Sequence, residues 1–220
     1  MFLEIEVIFV LDLTKSILSL MIGFLLAVIV GLIIIPILKK INFGQRISEY
    51  VGESHRKKEG TPTMGGIIFI IPTVLAMIYL LASGRVSMTY NIVIVLIVFV
   101  LYAVLGFLDD YLSIKRGKNE GLTPTQKFLG QVVIAVIFFA IYMKYNGNTT
   151  FEVSTLGISL DLGWVYGILI LILLVGFSNA VNLTDGLDGL AGGLSAVSFI
   201  AYALIAFFIG QEDMAIFSFV

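Results

Sequence analysis

Residues 16–38 read SILSLMIGFLLAVIVGLIIIPIL, an unbroken run without a charged side chain. At about 1.5 Å of rise per residue, such a run as a helix covers the ~30 Å hydrocarbon core of a bilayer with some tilt. Lys39 and Lys40 close it, and no small-x-small site follows, so it reads as a retained span rather than a cleaved export signal. Outward from this stretch, the apolar runs at 64–81, 92–108, 128–143, 163–181 and 189–209 predict five more spans, and 214–220 reads as the start of a seventh. The run at 128–143 is short, and its neighbours are expected to extend it by a turn at each end. Between 144 and 162, Thr149, Thr150, Phe151, Val153, Thr155 and Ile158 alternate among Gly and Asn, which predicts a small β-hairpin on the outer side. The expected architecture is an all-α polytopic membrane protein, residues 1–220 forming one integral-membrane domain with six transmembrane helices and the beginning of a seventh.

Composition agrees with that reading and narrows the function. Of 220 residues 59% are hydrophobic and 13% charged, and the mean hydropathy is +1.08; soluble domains carry about a quarter charged residues. Fifteen acidic and 13 basic side chains leave no charged tail and no basic surface of the kind that binds nucleic acid. The absence of cysteine excludes disulfides, thiolate metal sites and cysteine nucleophiles. With His55 the single histidine, a two-histidine metal motif is excluded within this sequence as well, and His55 reads as a loop residue.

With these spans the loops alternate sides. One side collects Lys39, Lys40, Arg46, Arg56, Lys57, Lys58, Lys115, Arg116, Lys118 and Lys127; the other collects Lys15, Arg85 and Lys144. The positive-inside rule then puts the N-terminus outside and loops 39–63, 109–127 and 177–188 in the cytoplasm. The Thr-Pro-Thr tripeptides at 61–63 and 123–125 read as helix starts, Thr123 being the N-cap, Pro124 the first helical residue and Gln126 the far side of a capping box. Thr61 and Pro62 are expected to open the second span in the same way.

Three polar groups stand out at the cytoplasmic side. Asp109 and Asp110 are expected to close the third span, where two negative charges beside the negative end of a helix dipole are disfavoured by about 0.3–1 kcal/mol each. A divalent cation or the basic stretch from Lys115 to Lys118 would compensate. Adjacent helical side chains diverge by about 100°, which predicts different tasks for the pair. In NAVNLTDGLDGLAGG, residues 179–193, the oxygens of Asn179, Asn182, Asp185 and Asp188 recur every third residue among turn-permitting glycines. The plainer role for Asp185 or Asp188 is N-cap of the sixth span, though one cap uses one side chain. In SHRKKEGTPTMGG, residues 54–66, Arg56, Lys57 and Lys58 precede a helix start, a combination suited to phosphate. For Lys39 and Lys40 a contact with lipid headgroups suffices; Lys58 reads as functional. Carboxylates with basic residues at their margin suit Mg²⁺ bridged to phosphate oxygens. No GxxxxGK[ST] motif is present, so a P-loop site is excluded in this sequence.

SHRKKEGTPTMGG, GFLDDYLSIKRGKNEGLTPTQKFLGQ (106–131) and NAVNLTDGLDGLAGG, in this order, resemble the phospho-N-acetylmuramoyl-pentapeptide transferases of the polyprenyl-phosphate N-acetylhexosamine-1-phosphate transferase superfamily. The resemblance implies transfer of phospho-MurNAc-pentapeptide from UDP-MurNAc-pentapeptide to undecaprenyl phosphate. The products are lipid I and UMP, and the reaction uses Mg²⁺ at the cytoplasmic face of a bacterial inner membrane, in peptidoglycan synthesis. The partners it implies are these two substrates and the lipid bilayer, with a homodimer compatible and nucleic acid excluded.

By motif, Asp109 and Asp110 match the catalytic pair, and Asp185 matches a metal position. Asn179 and Asn182 lie in the substrate motif near the diphosphate, Lys58 and Thr63 at the basic loop and helix start, and Gly186, Leu187 and Asp188 where uridine is held. The resemblance also implies a ten-helix fold whose later part supplies a further aspartate and a histidine-rich loop; neither occurs in this sequence. The expectation is the N-terminal two-thirds of such a fold, a poor catalyst alone. The nearest alternative is a polyprenyl-phosphate GlcNAc-1-phosphate transferase, and the alternative of another class is a transporter with intramembrane acids.

Overall fold

The computed structural model describes residues 2–40, 63–116, 121–145, 147–185 and 189–220. Its helices are α1 (Phe2–Lys40), α2 (Ile67–Ala82), α3 (Tyr90–Arg116), α4 (Pro124–Lys144), α5 (Tyr166–Thr184), α6 (Leu190–Phe208) and α7 (Glu212–Phe219). Between α4 and α5, strands β1 (Thr150–Val153) and β2 (Ile158–Asp161) form the expected antiparallel hairpin, and a 3₁₀ turn at Gly163–Val165 leads into α5. Among the described residues five helices are long and apolar enough to span a bilayer: Leu13–Lys40 within α1, α3, α4, Gly163–Thr184 and α6. The remaining apolar helix, α2, has 16 residues, about 24 Å of rise. The molecule is a polytopic, predominantly helical membrane protein with a two-stranded sheet.

Local chemistry accounts for the helix limits. Thr123 caps α4 with its side chain accepting from the Gln126 N–H, Gln126 answers the Thr123 N–H, and Pro124 stands at the first helical position. That cap lengthens the short run at 128–143 to Pro124–Lys144. Thr61 and Pro62 lie outside the described residues, and the cap position of α2 is Gly66, without a side-chain cap.

The packing is that of a protein solvated by lipid. Leu32 is 71% and Phe208 77% exposed, a distribution that water would oppose at roughly 25 cal/mol per Å² of apolar surface. A small interior cluster of Met77, Leu80, Val86, Ile92, Ile216 and Phe217 joins α2, α3 and α7. Ser16, Ser19 and Gln131 are the buried polar residues among those described. Helix α7 also packs against α6 and α1, and at this end Lys15 pairs with Glu212 at 3.5 Å while the Ser87 N–H donates to Asp213.

Candidate active site at one end of the bundle

Helix α3 does not close at the aspartates. It continues through Tyr111-Leu112-Ser113-Ile114 to Arg116, which places Asp109 and Asp110 almost two turns inside it. The expected clash with the helix dipole is corrected accordingly, because the negative end is complemented by Lys115 and Arg116 in the last turn. The aspartates are held by specific partners instead.

Both Asp109 carboxylate oxygens are engaged. Oδ1 accepts the Leu122 N–H at 2.8 Å, and Oδ2 meets the Lys127 Nζ at 2.9 Å. The turn that delivers Leu122 is fixed from both sides, since the Arg116 guanidinium donates to the Gly121 carbonyl at 2.6 Å and Thr123 caps α4. Residue 121 must be glycine, as a Cβ there would overlap the carbonyl oxygen and Oδ1 of Asp109. One turn into α4, Lys127 also donates to the Asn182 Oδ1 at 3.3 Å, joining α3, α4 and α5 through one ammonium. Lys127 and Asp109 are both partly shielded, with side chains 24% exposed.

Asp110 faces a different partner. Its Oδ2 accepts the Met64 N–H at 3.1 Å, and Met64 has φ +66°, a left-handed conformation uncommon outside glycine. Half-buried Thr63 precedes it, at the entrance to α2. Asp110 lies within electrostatic range of Asp109, Lys127 and Asp185. Three carboxylates and one ammonium therefore share this end of the bundle.

Asp185 is the C-cap residue of α5, not an N-cap. Helix α6 starts on Gly189 at φ +79° with no side-chain cap, a backbone conformation that favours glycine. The three-spaced stripe also divides. Asn182 turns to Lys127, whereas the Asn179 amide donates to the Gln131 Oε1 at 2.9 Å and the Val175 carbonyl at 2.8 Å. Gln131 in turn donates to the Ser178 hydroxyl at 3.2 Å. Asn179 thus belongs to the α4–α5 seam. Lys58, Gly186, Leu187, Asp188 and His55 lie outside the described residues.

Lys127, Met64, Gly121 and Gln131 were not singled out by their motifs. For Lys127 a signal existed: a lysine in the first turn of a helix stands at the positive end of the dipole, which calls for an anionic partner. Gln131, a lone amide in the apolar face of α4, called for a polar neighbour by the same logic. Among the described residues no three carboxylate or imidazole groups stand close enough together to hold a metal ion. With respect to the described residues, two carboxylates at this end have capacity left: Asp110, with Oδ1 beside the oxygen given to Met64, and Asp185, whose side chain takes no hydrogen bond from them and is exposed. A hard divalent cation held by one or two carboxylates and completed by phosphate oxygens and water fits that donor set.

A phospho-N-acetylmuramoyl-pentapeptide-transferase signature matches residues 58–70. The chain is similar to the phospho-N-acetylmuramoyl-pentapeptide-transferases of Bacillus subtilis (46% identical over 91% of this chain and 61% of that protein) and Geobacillus kaustophilus (45% over 91% and 62%). The one from Listeria monocytogenes is 45% identical over 90% of this chain and 61% of its own length. The chain therefore spans about three-fifths of the length of these relatives. The profile of glycosyl transferase family 4 matches residues 92–220, more than half of the sequence and all of α4 to α7, and the protein belongs to that family.

Proposed function

We propose that the protein transfers phospho-MurNAc-pentapeptide from UDP-MurNAc-pentapeptide to undecaprenyl phosphate, forming lipid I and UMP. The observation that carries this reading is the convergence of Asp109, Lys127 and Asn182 from three helices beside Asp110 and Asp185. It occurs in a chain 46% identical to a phospho-N-acetylmuramoyl-pentapeptide-transferase. The aspartate end is assigned to the cytoplasm of a bacterial inner membrane because ten of 13 basic residues fall on that side. Acids gathered at one end rather than at mid-bilayer speak against a transport pathway.

An oxygen of the lipid phosphate attacks the β-phosphorus of the donor; the new P–O bond forms as the bond to the α-phosphate breaks, and UMP leaves with the electron pair. Two anions must meet, so positive charge has to be in place beforehand. Lys127 supplies part of it, held by Asp109 and Asn182 so that its ammonium stays at the junction of α3, α4 and α5. Asp109, with both oxygens taken, acts through Lys127 as a positioning residue for the lipid phosphate. Asp110 and Asp185 are the residues that would hold Mg²⁺ on the diphosphate side. When bound, the cation screens the diphosphate charge and polarises the bond to the leaving group. Asn182, whose Oδ1 accepts from Lys127, and Lys58, Thr63, Gly186, Leu187 and Asp188 complete the donor site by motif. An apolar groove between α5 and α6, lined by Phe177, Val181, Leu194, Phe199 and Tyr202 with Thr184 at its Asp185 end, has the chemistry a prenyl chain needs.

The test supplies undecaprenyl phosphate with either UDP-MurNAc-pentapeptide or UDP-GlcNAc and follows UMP release and lipid-linked product, alongside direct binding of each donor. Mg²⁺-dependent preference for the muramoyl donor is expected. Preference for UDP-GlcNAc, or binding of neither donor, overturns the assignment.

A further inference from the structure

The end of the bundle opposite the aspartates carries a feature that the transfer reaction does not use. In the hairpin, Phe151 pairs with Leu160 and Val153 with Ile158, while Thr150 pairs with Asp161 and Glu152 with Ser159. Cross-strand partners share a face and alternate residues change face. One face is therefore wholly apolar, and the other carries two hydroxyls and two carboxylates. The apolar face is uncovered: Phe151 is 43%, Ile158 42% and Leu160 54% exposed, and Leu156 at the tip 70%. A two-stranded hairpin is marginal in water, and one with a bare apolar face needs a second layer.

We propose that this layer is the lipid itself: the hairpin is an interfacial anchor whose Phe151, Val153, Ile158 and Leu160 face rests in the headgroup–acyl boundary of the leaflet opposite the aspartates. Its attachment restricts it to that depth. Helix α4 ends at Lys144 and β1 begins at Thr150, while β2 ends at Asp161 with helical backbone resuming at Gly163, so the one-residue tether on the α5 side, about 3.5 Å long at most, holds the base of the sheet at the level of the helix end.

The attachment points carry aromatic residues of the kind found at that depth. Tyr142 stacks on Tyr166 with ring centroids 6.1 Å apart, Tyr90 stacks on Tyr145 at 4.1 Å, and Trp164 meets the Phe139 ring edge-on at 5.8 Å. Trp164 and Val165, just after the hairpin, are themselves exposed apolar residues. Glu152 and Asp161 mark the wet side, since neither carboxylate could enter hydrocarbon without a large cost. The base of the sheet is fixed, with Thr149 donating to the Asp161 Oδ1 at 2.6 Å and the Gly163 N–H to the same oxygen at 3.0 Å.

The sequence has no cysteine, so single cysteines report without background. The 220-residue chain is reconstituted in phosphatidylcholine vesicles with a nitroxide at Leu160→Cys or Ser159→Cys. A second pair, Phe151→Cys and Glu152→Cys, guards against a label that distorts one strand. Collision of each label with oxygen, which concentrates in lipid, is compared with collision with a water-soluble nickel complex. The expected result is a period of two, with positions 151 and 160 favouring oxygen several-fold over positions 152 and 159. Equal access to the nickel complex at all four positions overturns the proposal. So does shielding of 151 and 160 from both reagents, which would mean that protein, such as a second copy of the chain, covers this face.

Discussion

The Lys127 ammonium stands 2.9 Å from Asp109 and 3.3 Å from Asn182, so one side chain of α4 fixes the ends of α3 and α5. A lysine in the first turn of a helix is opposed by the dipole by about 0.3–1 kcal/mol, and the shielded carboxylate of Asp109 offsets that. Lys127→Met is expected to lower kcat for UMP release by about 10²–10³, the usual loss for a preorganised electrostatic group. Lys127→Arg should recover only part, because a planar fork does not reproduce a point charge between two single oxygens. Near-normal turnover in Lys127→Met would remove the residue from the mechanism.

The carboxylates are expected to separate by their cation dependence. Among the described residues, Asp110 and Asp185 retain oxygens for a metal while both oxygens of Asp109 are occupied. Changes outside the ligand shell cost about 10–100-fold in metal affinity, so loss of a ligand carboxylate should cost at least about tenfold. Asp110→Asn and Asp185→Asn should therefore raise the Mg²⁺ concentration for half-maximal activity. Asp109→Asn should lower kcat with that concentration unchanged. A common Mg²⁺ response across the three variants would contradict the division.

Sequence carried the spans, the α4 cap and the hairpin because each rests on a local rule: an apolar run, a Thr-Pro-Thr-Gln start, a period of two. It misjudged the end of α3 because Tyr111 to Ile114 is too short and mixed for hydropathy to tell helix from loop. Within the described part of the three-spaced stripe, Asn179 and Asn182 divide for a geometric reason. A step of three residues falls about 60° short of a full turn, so successive positions on α5 point in different directions. Asn179 accordingly faces Gln131 while Asn182 faces Lys127. Long-range pairings such as Met64 with Asp110 have no local signature.

Gly121 should be intolerant of even a methyl group. A Cβ at 121 would displace Asp109 or the turn that donates Leu122 N–H to it. Gly121→Ala is expected to reduce kcat by roughly tenfold or more, since a small misplacement of a reacting constellation can cost ~10²-fold. Thermal stability should move far less than activity; a variant that keeps its activity would show that Asp109 need not be fixed.

Gln131 should behave in the opposite sense. It is 1% exposed and links Ser178 and Asn179 across the α4–α5 seam. Interhelical hydrogen bonds in membranes contribute about 0.6–2 kcal/mol, so Gln131→Leu is expected to lower stability by about that amount. Unfolding in mixed micelles would measure it. An unchanged unfolding midpoint would mean that the seam rests on apolar packing alone.

The last expectation concerns the pH range over which the hairpin base holds. Asp161 is exposed, and its carboxyl is held below the usual aspartate range first by the Thr149 hydroxyl and then by the Gly163 N–H. A carboxylate whose folded-state pKa is depressed contributes stability above its unfolded pKa and loses it as pH falls through the folded value. The clamp should therefore persist from neutral pH down to about pH 4 and loosen only below it. A nitroxide at position 159 should show constant mobility across that range and a rise under more acidic conditions. Thr149→Val removes the larger cause and should shift the rise to higher pH, whereas Asp161→Ala should give the mobile spectrum throughout. Loosening between pH 5 and 7 in the unmodified hairpin would mean that some group other than Asp161 secures its base.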